Sequence, residues 1–346
     1  MSHFAVIIIC LLAGVLLARF KVVGENGVKG VNAWVFYVAL PALSLRFVPE
    51  IDWSLNVLFL MISPIIMLVA AWLFVRLVDF RKRLDIGTRT ALFVTMALSN
   101  TGFIGIPMTA AFFGEENMHF AVLNDQITFL LFSTVCVVVV MRAAAVQSRA
   151  GSLGGGSVRD GSGSPQHAEG GRGLQANSPT GAVSAAGSTG HAKINPKIVL
   201  KKIATFPPFI AFVLALVLPC FVDISVANPV FDKLMATMSP MAVFSIGLQL
   251  RLGSIGKEWR QVSTALIYKL FLAPLLILAV AMIIGEKGSA SQVSVFEASM
   301  SSHITVSLLA SQNGLNPRLC SLIVGVGIIA GFVTAPLWAW VIGVFL

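Results

Sequence analysis

Long apolar stretches, separated by short charged or turn-rich breaks, run along nearly the whole chain. Crossing the hydrocarbon core of a bilayer takes roughly 20 residues of helix, and only helices and closed barrels satisfy every backbone group there. The pattern therefore predicts an all-α polytopic membrane protein with ten transmembrane helices. The predicted helices cover residues 3–18, 28–48, 56–78, 89–113, 119–141, 205–222, 230–250, 262–284, 292–312 and 316–345.

Composition agrees with a lipid environment. The 346 residues are 57% hydrophobic and 11% charged, with a mean hydropathy of +0.89, a balance outside the range of water-soluble domains. The four cysteines lie in or at the ends of apolar stretches and lack the paired spacing of metal sites. We expect no metal and no cofactor.

The distribution of basic residues predicts the orientation. If the N-terminus lies outside, most Lys and Arg residues fall in cytoplasmic segments, among them Arg81, Lys82 and Arg83 after the third helix, as the positive-inside rule requires. Both termini then lie outside. The net charge of +9 is explained by topology, and no nucleic-acid partner is expected.

The segment 143–192 divides the chain. It contains no Phe, Trp or Tyr and consists mainly of Gly, Ala and Ser, a composition that cannot build a packed core. We predict a flexible cytoplasmic linker between two five-helix repeats, 1–142 and 193–346. Because five is an odd number, the two repeats would be inverted relative to each other.

Two polar interruptions align at one repeat offset. Pro41 in the second helix and Pro240 in the seventh lie 199 residues apart, and the same offset brings Ser99–Gly102 onto Ala298–Ser301. Polar, Gly and Pro residues in mid-membrane weaken the helical hydrogen-bond ladder. We predict that helices 4 and 9 are broken and cross near the midplane. The alternative is a kinked, continuous helix whose Ser and Asn side chains bond to neighbouring helices.

A break exposes N–H groups at the start of one half-helix and carbonyls at the end of the other, so one crossing can hold an anion and a cation. For His303, a neutral imidazole bonded to a backbone carbonyl is the alternative to a role with substrate or protons. The candidate substrate-binding residues are Ser99, Asn100, Thr101, Gly102, Gly105 and Pro107 in the fourth helix, and Ser299, Ser301, Ser302 and His303 in the ninth.

Asn124, Asp125 and Gln126, early in the fifth helix, are assigned to a coupling site. Asp125 is the only acidic residue that this interpretation places within a membrane-spanning stretch away from its boundary, and such a carboxylate is costly unless it is used or paired. It can bind a coupling cation, shuttle a proton, or pair with Lys269 of the eighth helix. Gln249, near a helix end, is assigned to the membrane interface.

Catalysis has weak support. The stretch Ser301-Ser302-His303 is accompanied by no Gly-x-Ser-x-Gly elbow, acid partner or metal-ligand pair. We therefore predict that the protein is not an enzyme.

With these motifs, the sequence resembles the auxin efflux carrier family, which includes plant auxin exporters and bacterial organic-acid permeases. The strongest match is Ser99 to Pro107, which carries the family's site onto Asn100, Gly102 and Pro107. The ninth helix departs from the pattern, since the proline often found at the crossing is absent around His303. Supporting matches are Asn32 to Phe47, Asn124 to Gln126, Ser245 to Leu248 and Thr334 to Trp338.

The resemblance implies a scaffold part and a mobile transport part that work like an elevator, with an organic anion held at the crossing. We therefore predict a secondary active transporter of the bacterial inner membrane that moves a small organic anion, such as malonate or a related carboxylate, by alternating access with proton or sodium coupling. A homodimer is left open. The alternatives are a channel and a non-transporting membrane sensor or interaction protein on the same fold.

Overall fold

The structure, a computed structural model, describes residues 2–51, 55–154, 205–250 and 256–346. Regular structure within these ranges is helical, apart from one antiparallel bridge between Ser99 and Ser302. The helices, numbered along the chain, are α1 (Ser2–Arg19), α2 (Glu25–Trp34, Val35–Ala39 and Leu40–Phe47), α3 (Leu55–Lys82), α4a (Ile86–Ala97), α4b (Thr101–Gly105 and Ile106–Phe113), α5 (Met118–Leu131, Phe132–Cys136 and Val137–Gly154), α6 (Pro207–Val217), α7 (Asn228–Met235 and Met238–Gln249), α8 (Trp259–Ile267, Tyr268–Leu272 and Ala273–Ile284), α9a (Ser289–Ala298), α9b (Ile304–Gln312) and α10 (Pro317–Phe345).

Five helical stretches in the described part of the chain are long and apolar enough to cross a membrane. Three shorter apolar helices accompany them, in α1, α4b and α6. The chain is therefore an all-α, multi-pass membrane protein, whereas the ten-span arrangement of two inverted repeats stays a prediction. The five long stretches are Asn26–Glu50, Val57–Lys82, Glu115–Arg149, Trp259–Ile284 and Pro317–Phe345.

The predicted linker overlaps the end of α5. The helix continues to Gly154, past the predicted boundary at residue 142. The rest of the predicted linker lies outside the described residues, so its flexibility and cytoplasmic location stay predictions.

Prolines explain most of the widened turns inside these helices. A proline lacks an N–H group and its ring presses on the carbonyl four residues earlier, so a local π turn relieves the conflict. In three helices, a π turn ends two residues before a proline. These turns are Val35–Ala39 before Pro41, Thr101–Gly105 before Pro107, and Tyr268–Leu272 before Pro274.

The buried apolar side chains form two clusters. The larger is built mainly by α3, α4a, α5, α8, α9 and α10, and the smaller mainly by α2, α4b, the first half of α5, and α7. α1 approaches α7 where two glycines face each other, because a Cβ at Gly247 would lie 2.4 Å from the Leu11 carbonyl oxygen and 2.9 Å from the Cα of Gly14. Leu98 and Met300, in the interruptions of α4 and α9, belong to the larger cluster.

Candidate functional site

The interruptions of α4 and α9 meet and hydrogen-bond to each other. The Asn100 amide donates to the Ser301 carbonyl at 2.8 Å, and the His303 amide donates to the Leu98 carbonyl at 3.1 Å. The two extended segments thus pair as a short antiparallel ladder, which satisfies backbone groups that are costly to leave unpaired in lipid. This pairing accounts for a break in α9 without a proline, and it brings four half-helix ends to one place.

Asp125 of α5 caps the N-terminus of α4b. Its Oδ1 accepts from the Thr101 hydroxyl at 2.5 Å, and the Gly102 amide donates to the same carboxylate. A Cβ at Gly102 would lie 3.0 Å from Asp125 Oδ1, so a larger residue would crowd this contact. Because a carboxylate stabilises the positive end of a helix dipole, α4b has its counter-charge within the protein.

α9b begins without such a carboxylate. His303 occupies the N-cap position, where its side chain makes no capping hydrogen bond, and the imidazole stacks on Phe132 with 5.7 Å between ring centroids. His303 Nδ1 has no hydrogen-bond partner among the described residues. The alternative for His303, an imidazole bonded to a backbone carbonyl, is therefore not formed at this atom. The first amides of α9b form an end suited to an anion.

A cavity of about 60 Å³ lies beside the crossing. Its polar wall contains Asn32, Asn100, Asp125, Gln249, His303 and Thr305. Its aromatic wall contains Phe36, Phe103, Phe129, Phe132 and Phe206.

Hydrogen bonds in another part of the cavity lining join α2 to α7. The Ser245 hydroxyl donates to Asn32 Oδ1, and Gln249 Nε2 donates to the Ser245 hydroxyl at 3.0 Å. These contacts hold the amides of Asn32 and Gln249 at the cavity. The interfacial position predicted for Gln249 is therefore wrong, because its side chain turns inward to hydrogen-bond one helical turn back.

Four of the predicted site residues line this cavity, namely Asn100, Gly102, Asp125 and His303. Thr101 does not line the cavity, and its hydroxyl donates to Asp125, which does. The others are buried around it: Ser99, Gly105, Pro107, Ser299, Ser301, Ser302, Asn124 and Gln126.

Several of these surrounding residues have structural partners. The Ser299 hydroxyl donates to the Phe296 carbonyl within its own helix, and Asn124 Nδ2 donates to Ser63 Oγ of α3 at 3.3 Å. Ser301 faces α10, where a Cβ on Gly331 would lie 3.7 Å from its own Cβ. The hydroxyls of Ser301 and Ser302 and the Asn100 Nδ2 have no hydrogen-bond partner in the described part of the chain.

Lys269 of α8 is fully buried behind the crossing. Its Nζ donates to Ser99 Oγ at 2.6 Å and to the Ala298 carbonyl at 3.4 Å, and it contacts the Met67 sulfur at 3.3 Å. The cation thus lies at the carbonyl end of α9a, where the helix dipole favours it. The pairing of Lys269 with Asp125, one of the three alternatives for that carboxylate, is not formed.

Glu297 of α9a is a second buried carboxylate, only 1% exposed. Its Oε1 accepts from the Thr109 hydroxyl of α4b at 3.1 Å, and Gly105 packs directly on its Oε2. The statement that Asp125 is the only acidic residue within a membrane-spanning stretch is therefore wrong. The signal was present in the sequence, since Glu297 stands five residues inside the helix predicted over 292–312.

The model of the membrane transport protein family, the family of the auxin efflux carriers, matches residues 1–339. The chain belongs to this family. An uncharacterized transporter of Methanothermobacter thermautotrophicus is 24% identical over 344 residues, covering 97% of this chain and 96% of the archaeal protein. An uncharacterized transporter of Methanocaldococcus jannaschii is 22% identical over 354 residues, covering 99% and 98%. The family and these full-length relatives identify a membrane transporter, and the predicted absence of catalysis accords with that family.

Proposed function

We propose that this member of the family is a secondary active transporter that moves a small organic anion by alternating access around the crossing of α4 and α9. The observation that carries the proposal is the hydrogen-bonded meeting of two interrupted helices beside a cavity lined by polar groups of both. Transporter sites commonly use half-helix ends at mid-membrane in this way. Malonate or a related carboxylate is the substrate class.

The anion would bind at the α9b end of the cavity. Asp125 already occupies the N-terminal end of α4b, whereas α9b begins at His303 without a side-chain cap. A substrate carboxylate there can accept from the first amides of α9b and from Asn100 Nδ2, which has no partner among the described residues. The aromatic wall then faces the rest of the molecule.

The residues that line the cavity support alternating access. Asn32 and Gln249 approach it from α2 and α7, and Asn100 and His303 approach it from α4 and α9. Movement of one group of helices against the other would open the cavity to one side of the membrane at a time. In this proposal the chain has ten spans in two inverted repeats, both termini outside and the linker in the cytoplasm of a bacterium.

Uptake by the purified full chain in proteoliposomes tests the proposal. Labelled malonate, other dicarboxylates, monocarboxylates and aromatic acids are offered with proton and sodium gradients imposed separately. We expect saturable, gradient-driven uptake of at least one acid. Uptake that does not saturate would indicate a channel, and binding with no uptake under any gradient would favour a sensor or interaction protein.

Asn100→Ala links transport to the crossing. Removing a hydrogen-bond donor to a charged group costs about 1.5–3 kcal/mol, or roughly 10-fold to 100-fold in apparent affinity. Asn26→Ala, at an exposed position of α2, is the matched control and should transport as the wild type does. Equal affinities for the two variants would contradict a substrate site at Asn100.

A further inference from the structure

Glu297 is a buried carboxylate with one unused oxygen. Its Oε1 accepts from Thr109 at 3.1 Å, whereas its Oε2 has no hydrogen-bond partner within the described ranges. A Cβ on Gly105 would lie 1.9 Å from this Oε2, so the oxygen faces bare backbone of α4b. A proton on Oε2 would therefore displace no existing hydrogen bond.

The charged groups around Glu297 come from three other positions. Lys269 of α8 and Asp125 of α5 both act on it electrostatically, and His303 lies beyond the interruption of its own helix, within the electrostatic reach of Lys269. The Lys269 ammonium donates to Ser99 and the Ala298 carbonyl, not to the carboxylate. With both carboxylates ionised and the imidazole neutral, this region carries one excess negative charge.

Bringing an organic anion into the cavity adds further negative charge, two units for a dicarboxylate dianion, to a region of low dielectric, where unbalanced charge is costly. Uptake of one proton cancels one unit of the added charge. The two carboxylates differ in how well they can take it. Asp125 accepts hydrogen bonds from the Thr101 hydroxyl and the Gly102 amide, and these bonds favour its ionised form. In Glu297, by contrast, Oε2 accepts no hydrogen bond from the described residues and is free to take the proton.

A metal cation fits this position poorly. Oxygen-preferring cations need several oxygen ligands, but Thr109 is the one side chain that hydrogen-bonds to Glu297 in the described structure. The nearby Lys269 would repel a second positive charge. The described residues also contain no group of three or more His, Cys, Asp or Glu side chains arranged to hold a metal ion.

We propose that Glu297, and not Asp125, carries the coupling proton of a proton–anion symport. The inference rests on the proposed transport function and names its coupling residue. When substrate loads from one side, a proton from the water on that side binds Glu297 Oε2. When substrate leaves on the other side, that proton returns to the water there. The substrate is unchanged, and no electrons move.

Infrared difference spectroscopy of the full chain in liposomes tests this without any substrate. Between acidic and alkaline buffer, the wild type should lose a carboxylic-acid C=O band. Glu297→Gln should remove this band, whereas Asp125→Asn and the loop control Glu286→Gln should retain it. A band that survives Glu297→Gln, or one removed by Asp125→Asn, would overturn the inference.

Thr109→Val keeps the test decisive if Glu297→Gln folds poorly. The change removes the hydroxyl that donates to Glu297 Oε1 but preserves the shape of the side chain. The C=O band should then shift in frequency, because hydrogen bonding to the carboxyl group changes. An unshifted band would show that it belongs to another residue.

Transport measurements test the coupling role of Glu297 separately from the proposed transport of an organic anion. In proteoliposomes that take up labelled malonate, an inward proton gradient should drive accumulation by up to about tenfold per pH unit for one proton. Glu297→Gln should abolish this dependence while slowing malonate exchange, which moves no net protons, to a smaller extent. Gradient-driven accumulation in Glu297→Gln equal to the wild type would refute the coupling role while leaving malonate transport established. Failure of the wild type to take up any acid would instead refute the transport proposal.

Discussion

The interruptions of α4 and α9 differ in chemistry although they pair through the same backbone ladder. In α4, the π turn Thr101–Gly105 precedes Pro107, and Asp125 caps the new helix. In α9, a serine-rich segment without proline leads to His303, whose side chain makes no capping bond. The positive end of α4b therefore has a negative charge of the protein beside it. The positive end of α9b has no side-chain cap.

This difference shows that two interruptions that pair with each other need not contribute equally to a site. The carbonyl end of α9a is matched by Lys269, and the amide end of α4b is matched by Asp125. The amide end of α9b, at the cavity, has no such partner within the described part of the chain. We infer that the α4 side is built mainly to hold the crossing together and that the α9 side is built to receive the ligand.

The largest expected effect comes from Lys269→Met, which removes the cation that links Ser99 of α4 to the end of α9a. Hydrogen bonds to a charged group contribute about 1.5–3 kcal/mol each, and Lys269 donates two of them, to Ser99 Oγ and to the Ala298 carbonyl. The free energy of unfolding in detergent, from a denaturant titration, measures this loss. Lys287→Met, at an exposed position, is the control, and similar stability of both variants would contradict a structural role for Lys269.

A smaller effect is expected from Gly105→Ala, which tests the contact between α4b and α9a. The new Cβ would lie 1.9 Å from Glu297 Oε2 and 2.5 Å from its Cδ, so the buried Glu297 side chain must shift. Overpacking of this kind costs about 1–3 kcal/mol, which should appear as a lower thermal unfolding midpoint in detergent. Gly343→Ala in α10, where a Cβ meets nothing within 4 Å, should unfold as the wild type does.

The helices and the position of the crossing could be predicted because both depend on local patterns. Apolar length fixes where helices lie in lipid, and Asn100, Gly102 and Pro107 mark a weak helix without reference to any neighbour. The two breaks pair antiparallel, whereas the two inverted five-helix repeats from which that direction was predicted stay a prediction. These features need no knowledge of side-chain contacts.

Partners across the crossing could not be predicted, because they depend on the rotation of each helix. Asp125 turns toward Thr101 and not toward Lys269, and its neighbour Asn124 turns to α3. The position of the Gln249 side chain was predicted wrongly because the sequence gives the distance of the residue from the helix end but not the direction in which its side chain points. Glu297 was overlooked among small and apolar residues, although a carboxylate inside a membrane helix is a functional candidate in itself.

The smallest effect, and the sharpest comparison of the two half-helix ends, comes from Asp125→Ala and His303→Ala. Asp125→Ala removes the cap of α4b, which should lower the free energy of unfolding by about 1–2 kcal/mol. His303→Ala removes the stacking on Phe132, and we expect the free energy of unfolding to fall by about 1 kcal/mol or less.

The order of these two variants should reverse for transport if α9b receives the anion. His303→Ala should then weaken apparent substrate affinity by more than its small loss of stability accounts for. Equal stability losses with unchanged affinity in His303→Ala would remove the distinction between the two ends, because the α9b end would then be as structural as the α4b end.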